Sequence, residues 1–159
     1  MQLLTFTVAG QDYALESRRV IEVLPLVPAR PIPHTPDYLR GIFTYRGGFV
    51  PLVDLGLRFA GRPPAERLST RVIVVECVPM GAGERGPVRL GLVAENVISI
   101  RSGDGVDAEL PGFELPGAAY LGRMIRLDGR TVQLLRIEQL LPADVAAGLF
   151  PAVNPTRPA

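Results

Sequence analysis

The sequence has no lysine and no tryptophan, and it contains one cysteine and one histidine. A single cysteine cannot form an intramolecular disulfide, and a cytoplasmic location is the default for such a chain. No stretch approaches the 18 consecutive apolar residues of a membrane-spanning helix, and the N-terminus lacks the basic region of a signal peptide. We therefore expect a cytoplasmic protein that does not insert directly into a membrane.

Positive charge is carried entirely by 17 arginines, which are scattered along the chain and offset by 16 acidic residues. Nucleic-acid binding on a small β-barrel needs a basic face interleaved with aromatic side chains. The net charge is +1 and only 6% of the residues are aromatic. The composition therefore predicts no nucleic-acid partner.

Histidine and cysteine, which carry much of enzyme and metal chemistry, occur once each. His34 cannot supply the three or four ligands of a zinc site on its own. Cys77 lies within an apolar stretch, where we expect a buried small side chain, because a reactive thiol needs exposure and a nearby cation. No serine lies in a G-x-S-x-G elbow. The sequence predicts no catalytic residue, no cofactor and no metal.

Two weaker motifs are also better explained without a ligand. Residues 81–86 match G-x-G-x-x-G, but a dinucleotide site needs a helix to begin there, and Pro87 precedes a predicted strand instead. We therefore expect a hairpin loop. Asp104, Asp107 and Glu109 do not have EF-hand spacing, which favours a solvated acidic loop.

Turn-forming residues are abundant, since 17 glycines and 16 prolines make up about a fifth of the 159 residues. Residues 71–78 form the strongest strand pattern and are predicted to be buried on both faces, with further strands at 88–93 and 97–100. The pattern predicts an all-β fold of about nine or ten short strands, arranged as a barrel or a pair of barrels. We expect one domain over 1–148 and a disordered proline-rich tail over 149–159.

The connections between these strands carry their own signals. Five prolines over residues 25–36 predict an extended connector. Asp54 is predicted to be the N-cap of a short helix that ends near residue 59. Residues 102–116 are expected to form a long exposed loop, and residues 137–141 have helical spacing.

Residues 41–55 form the most informative stretch of the chain. Two apolar runs flank Arg46, Gly47 and Gly48, which predicts two strands joined by a tight turn, with the two glycines at positive φ. Arg46 is then held at a strand end with its guanidinium free to face outward. Such a cation on rigid β-structure is suited to recognition rather than to catalysis.

Glu22 is a charged residue within the apolar strand pattern of residues 20–24. Simple alternation places it on the same face as Val20 and Leu24. Two interpretations stay open: a charge that protects an edge strand from aggregation, or a charged contact with a partner.

Three of these segments together resemble the CheW family of chemotaxis coupling proteins. They are Val20-Ile21-Glu22-Val23, the proline-rich connector, and the run from Gly41 through Tyr45-Arg46-Gly47 to Val50-Pro51-Leu52-Val53-Asp54-Leu55. Weaker matches extend the resemblance over roughly residues 2 to 145. It implies two intertwined SH3-like five-stranded β-barrel subdomains with a few short helices.

The resemblance also implies a function. It is that of a non-enzymatic scaffold linking the cytoplasmic tip of methyl-accepting chemoreceptors to a CheA-type histidine kinase, in arrays to which the protein is recruited. The residues that it places at or near partner surfaces are Arg46, Gly41, Val20, Glu22, Tyr45 and Arg71.

Two departures from the family pattern point to a subfamily. Thr44-Tyr45 stands where the family usually has Asn-Leu, and the connector is unusually rich in proline. Both features are similar to adaptors of alternative arrays, such as Wsp-type surface-sensing systems that control biofilm formation. The alternative from another class is a small β-barrel ligand-binding protein or enzyme with its site between the subdomains.

Overall fold

A computed structural model describes residues 2–79, 86–102, 106–110 and 115–151. The strands are β1 (Gln2–Val8), β2 (Gln11–Glu16), β3 (Val20–Pro25), β4 (Leu39–Tyr45), β5 (Gly48–Asp54), β6 (Arg71–Cys77), β7 (Val88–Ser102), β8 (Val106–Leu110), β9 (Leu121–Leu127) and β10 (Arg130–Leu135). The helices are α1 (Leu55–Ala60) and α2 (Ala143–Leu149), with 3-10 turns at Ser17–Arg19, Pro116–Ala118 and Ile137–Gln139. The protein is mostly β-sheet, as predicted.

Strand β7 belongs to both parts of the sheet. Its first half, Val88 to Ala94, pairs with β6 and runs parallel to β5, whereas its second half pairs with β1. One hydrogen-bonded path therefore runs β3-β6-β7-β1-β2-β10-β9-β8, with β5 joining at β7 and β4 pairing with β5. We call β3–β6 with the first half of β7 the second sheet region, and the remaining strands the first sheet region. Among the described residues the path ends at β3 and β8, so the sheet is open.

The continuity of β7 differs from the two strands that we predicted at 88–93 and 97–100. Asn96 has a φ of +50°, and the pairing of β1 with β7 shifts register between Thr5 and Thr7. A bulge of this kind bends a strand without ending it. The polar residues near position 95 therefore mark a bulge and not a turn between strands.

The strand pattern of residues 71–78 is buried on both faces over Val72–Val75, as predicted, whereas Glu76 and Val78 are exposed. Val72 and Val74 pack into the core of the second sheet region with Phe43, Tyr45, Val50, Leu52 and Val93. Ile73, Val75 and Cys77 point the other way, into a larger cluster that includes Phe6, Leu55 and Leu140. Because β6 lies between two clusters, its side chains are apolar at consecutive positions rather than at alternate ones.

The connector over residues 25–36 is extended and returns to β4. The backbones of Arg30 and Ile42 exchange two hydrogen bonds of 2.8 and 2.9 Å. Gly41 has a φ of +135°, and a Cβ there would lie 2.0 Å from the carbonyl oxygen of Arg30. Only glycine allows the connector to approach β4 so closely.

Helix α1 begins where we predicted. Asp54 is fully buried, accepts a hydrogen bond from the backbone N–H of Leu57 at 3.0 Å, and forms an ion pair with Arg40 at 2.8 Å. This places the N-cap and a buried ion pair on the same carboxylate.

The last turn of α1 joins distant parts of the chain. The Arg58 guanidinium lies 4.9 Å from the ring centroid of Tyr38 and 4.6 Å from that of Tyr120, and its Nε donates to the Leu140 carbonyl at 3.0 Å. Phe59 stacks on Tyr120 with centroids 4.7 Å apart. We call Tyr38, Arg58, Phe59 and Tyr120 the joint.

Two predictions near the C-terminus need correction. Helix α2 was not predicted after Pro142, and it places Leu149 and the buried Phe150 within the ordered fold, beyond the boundary expected at residue 148. The predicted loop at 102–116 contains strand β8. Residues 152–159, the rest of the predicted tail, lie outside the described residues.

Other predictions fall partly outside the described residues. Most of the G-x-G-x-x-G stretch and Asp104 are not described, whereas positions 107 and 109 belong to β8 rather than to an acidic loop. Neither described helix is long or apolar enough to cross a bilayer.

Candidate functional site

The turn between β4 and β5 holds Arg46 in an unusual backbone conformation. Arg46 and Gly47 have φ angles of +48° and +77°, and Tyr45 pairs directly with Gly48 across the turn. Positive φ at both central residues defines the primed hairpin turn that matches strand twist. The positive φ values therefore fall on Arg46 and Gly47, and not on Gly47 and Gly48 as predicted.

Glu22 accepts hydrogen bonds from two side chains of the β4–β5 hairpin. Its Oε1 accepts a 2.6 Å hydrogen bond from the Tyr45 hydroxyl and a 3.0 Å bond from Arg46 Nη2. The Arg46 guanidinium also lies 5.0 Å from the Tyr45 ring centroid. We predicted a guanidinium free to face outward, and 56% of the Arg46 side chain is exposed, but the guanidinium is also paired with Glu22 within the chain.

Arg89 completes this cluster and was missed from the sequence. It is exposed on β7, and its guanidinium lies 5.7 Å from the same Tyr45 ring centroid. We call Glu22, Tyr45, Arg46 and Arg89 the cap, because Tyr45 belongs to the core of the second sheet region and the charged groups surround its ring. Burial and the hydrogen bond to Glu22 raise the pKa of the Tyr45 phenol.

The cap also links two outer strands of the second sheet region. Within the described residues β3 pairs with β6 alone, and β4 pairs with β5 and, through the single Arg30–Ile42 bridge, with the connector. The bonds from Tyr45 and Arg46 to Glu22 therefore join β3 to the β4–β5 hairpin by side chains. This gives Glu22 a contact within the chain that neither of the two open interpretations included.

A register shift in β3 separates two residues that we predicted to share a face. The pairing of β3 with β6 shifts between Val20 and Glu22. Val20 packs against the large cluster with Val23, whereas Leu24 packs against the core of the second sheet region, on the face of Glu22. Val20 and Glu22 therefore lie on opposite faces, because the bulge inserts a residue between them.

Gly41 and Arg71 lie apart from the cap. Gly41 is buried beneath the connector. Arg71 pairs with Pro25 at the other end of β3, and its Nε donates to the Leu68 carbonyl at 3.3 Å. Of the six predicted partner-binding residues, the structure brings together Glu22, Tyr45 and Arg46.

The grooves and titratable groups give little support to the enzyme alternative. Among the described residues, no three His, Cys, Asp or Glu side chains are grouped as metal ligands would be. Cys77 is buried, and its burial raises the pKa of the thiol to about 11, so at neutral pH it is a protonated, inaccessible side chain. His34 lies exposed in a turn.

Two open grooves have volumes of about 320 and 400 Å³. The carboxylates of the first, Glu16 and Glu138, are paired with Arg18 and Arg19. The second contains one carboxylate, that of Glu66, beside apolar connector residues. Neither arrangement provides an unpaired acid–base pair.

Comparison with known sequences defines the class of protein. The sequence model of the CheW-like domain matches residues 2–145, so the chain belongs to the CheW-like domain family. Proteins of this family are chemotaxis scaffolds and not enzymes.

Individual relatives agree with this assignment over most of their length. The chain is 26% identical to the chemotaxis protein CheW of Rhizobium meliloti, covering 90% of this chain and 88% of the relative. It is 29% identical both to CheW of Klebsiella aerogenes (92% and 84% covered) and to protein FrzA of Myxococcus xanthus (86% and 82%). The fold is similar to the crystal structure of the scaffolding protein TtCheW from Thermoanaerobacter tengcongensis, with a TM-score of 0.71, 22% identity, and 91% and 89% of the two chains covered.

Proposed function

We propose that this chain couples the cytoplasmic tips of chemoreceptors to a CheA-type histidine kinase, in receptor arrays at the cytoplasmic side of the membrane, without catalysing a reaction itself. The observation that carries the proposal is the CheW-like match over residues 2–145. The paired charges of the first groove support a scaffold over an enzyme.

The proposed architecture is two SH3-like barrel subdomains that share β7. Support comes from the two halves of β7, which pair with different strand groups. The contacts of Glu22 with Tyr45 and Arg46 also support it, because they connect two outer strands of the second sheet region.

In this proposal the cap is a partner surface with fixed geometry. Arg46 donates one N–H to Glu22 and has other N–H groups available to a partner, since a guanidinium has five donors. The turn, the Tyr45 ring and the Glu22 carboxylate hold the side chain in place before binding. Little entropy is then lost when a partner carboxylate or carbonyl is bound.

A second proposed contact lies at the turn before β6. Leu68 is 97% exposed, and the turn beneath it is closed by a 3.0 Å bond from the Thr70 N–H to the Arg67 carbonyl. Arg71 donates to the Leu68 carbonyl. A rigid, exposed leucine is a suitable apolar anchor in a partner pocket, and the role of Arg71 is to hold that turn.

Gly41 and Val20 take part in this proposal indirectly. Gly41 allows the connector to reach β4, and Val20 anchors the start of β3 in the large cluster. Both residues position the strands that carry the cap.

Co-sedimentation with receptor-containing membranes and the kinase tests the function. The wild-type chain should sediment with both partners, and Arg46→Glu should bind at least about tenfold more weakly, because it places two carboxylates side by side. Arg126→Glu is the matched control, since Arg126 is an exposed strand arginine on β9, outside the cap. Unchanged sedimentation of Arg46→Glu would contradict the role of Arg46, and failure of the wild-type chain to sediment with either partner would contradict the coupling function.

A further inference from the structure

The cap contains more positive than negative charge around one aromatic ring. Arg46 and Arg89 lie 5.0 and 5.7 Å from the centroid of Tyr45. The carboxylate bonded within the cap is that of Glu22, and it pairs with Arg46. The cap therefore has two guanidinium groups and one carboxylate.

Among the described residues, Arg89 is the cation of the cap that has no ion pair. Glu76 lies directly opposite it in the pairing of β6 with β7. Within the described part of the chain, no carboxylate lies within 4.0 Å of the Arg89 guanidinium, which lies over the face of the Tyr45 ring. A guanidinium over a ring face keeps its N–H groups available at its edge.

We propose that Arg89 and Arg46 together form a seat for one Asp or Glu carboxylate on an acidic segment of a protein partner. This inference rests on the proposed coupling function and adds the chemistry that the partner must present. Two like charges beside one ring repel each other, and a carboxylate placed between them removes that repulsion while accepting charge-assisted hydrogen bonds.

The surroundings favour a single protein carboxylate over a polyanion. Glu22 lies within the cap and Glu76 on the neighbouring strand, so an extended chain of phosphates would meet negative charge on two sides. A single carboxylate brings less negative charge beside these two glutamates than a chain of phosphates does.

Binding of each partner as a function of salt tests the seat. The probes are a soluble cytoplasmic chemoreceptor fragment and the CheA-type kinase, each titrated against the full chain in 50 to 300 mM NaCl. Arg89→Gln should weaken binding of one of the two about tenfold at low salt, and Arg89→Glu should weaken it further. The salt dependence should become less steep in Arg89→Gln, because one screened attraction is lost.

The controls distinguish an effect of charge from a loss of folding, and they distinguish failure of this inference from failure of the proposed coupling function. Arg89→Lys keeps the cation and should retain most of the salt dependence, and Arg126→Glu should bind like the wild type. Thermal unfolding checks that each variant is folded. If the wild type binds but the Arg89 variants bind equally well, the seat is wrong while the coupling function stands. Competition by inorganic phosphate at millimolar concentration would also overturn it, since it would indicate a phosphate site.

Discussion

The cap and the joint use the same pair of residue types in different surroundings. Each places an arginine over tyrosine: Arg46 over Tyr45 in the cap, and Arg58 between Tyr38 and Tyr120 in the joint. The two sites differ in what the arginine bonds to. Arg46 is paired with the half-exposed carboxylate of Glu22, whereas Arg58 donates to a backbone carbonyl 82 positions away.

This difference assigns stability to one site and recognition to the other. Arg58 is half-buried and crosses between chain segments that are far apart in sequence, so its contacts are shielded from water and strengthen the fold. The Arg46–Glu22 pair is exposed and screened by salt, and such pairs contribute little to stability. Breaking the Arg46–Glu22 pair when a protein partner binds should therefore cost the fold little stability. Breaking the contacts of Arg58 in the joint should cost more.

The largest loss of stability should come from removing the Asp54 carboxylate at the start of α1. This helix carries Arg58 and Phe59 of the joint. Asp54→Ala removes the N-cap and leaves Arg40 without its 2.8 Å partner. We expect the free energy of unfolding to fall by about 3 kcal/mol. Urea denaturation followed by circular dichroism measures this loss.

Asparagine is the matched control at this position. Asp54→Asn keeps a capping oxygen but loses the charge, so its loss should be clearly smaller than that of the alanine variant. If the two variants were equally unstable, the ion pair with Arg40 would account for the whole stabilising effect of Asp54, and the N-cap hydrogen bond of α1 would contribute nothing to stability.

A smaller loss should follow from Arg58→Ala, which acts on the joint itself. The change removes the bond to the Leu140 carbonyl and the contacts with two tyrosine rings, and we expect a loss of about 2 kcal/mol. Receptor and kinase binding by the folded fraction should stay within about twofold of wild type. If Arg58→Ala bound its partners more weakly without being less stable, the assignment of stability to the joint and recognition to the cap would be wrong.

Features set by short stretches of sequence were predictable. The N-cap at Asp54, the doubly buried strand at 71–78 and the tight turn after Tyr45 were all found where their patterns indicated. Each depends on residues within a few positions of one another, where propensity and alternation act directly.

Features set by distant contacts were not predictable. The bulge that separates Val20 from Glu22 depends on pairing with β6, about 50 residues later. Arg89 joins Tyr45 only because β7 lies beside β5. Helix α2 was missed because its short sequence lacks a side-chain cap, and its buried face depends on the large cluster. Alternation describes a strand on its own and does not encode which strand lies next to it.

The smallest change in stability should come from Tyr45→Phe, which tests whether the cap contributes to the fold at all. The variant loses the 2.6 Å bond to Glu22 but keeps the ring beneath both arginines. We expect a smaller loss of stability than for Arg58→Ala, together with weaker partner binding, because Glu22 and Arg46 lose a support that orients them.

The pH dependence sharpens this last comparison. Burial and the bond to Glu22 raise the pKa of Tyr45 above 10.0 in the folded chain, so the unfolded chain loses this proton first as pH rises. The contribution of the phenol is complete below pH 10 and disappears as pH rises through the folded pKa. The stability difference between the wild type and Tyr45→Phe should therefore shrink above pH 10, as measured by urea denaturation at pH 8 and at pH 10.5. A difference that stayed constant would mean that Glu22 does not hold the phenol proton, and that the hairpin is joined to β3 by the Arg46–Glu22 pair and the packing of the ring.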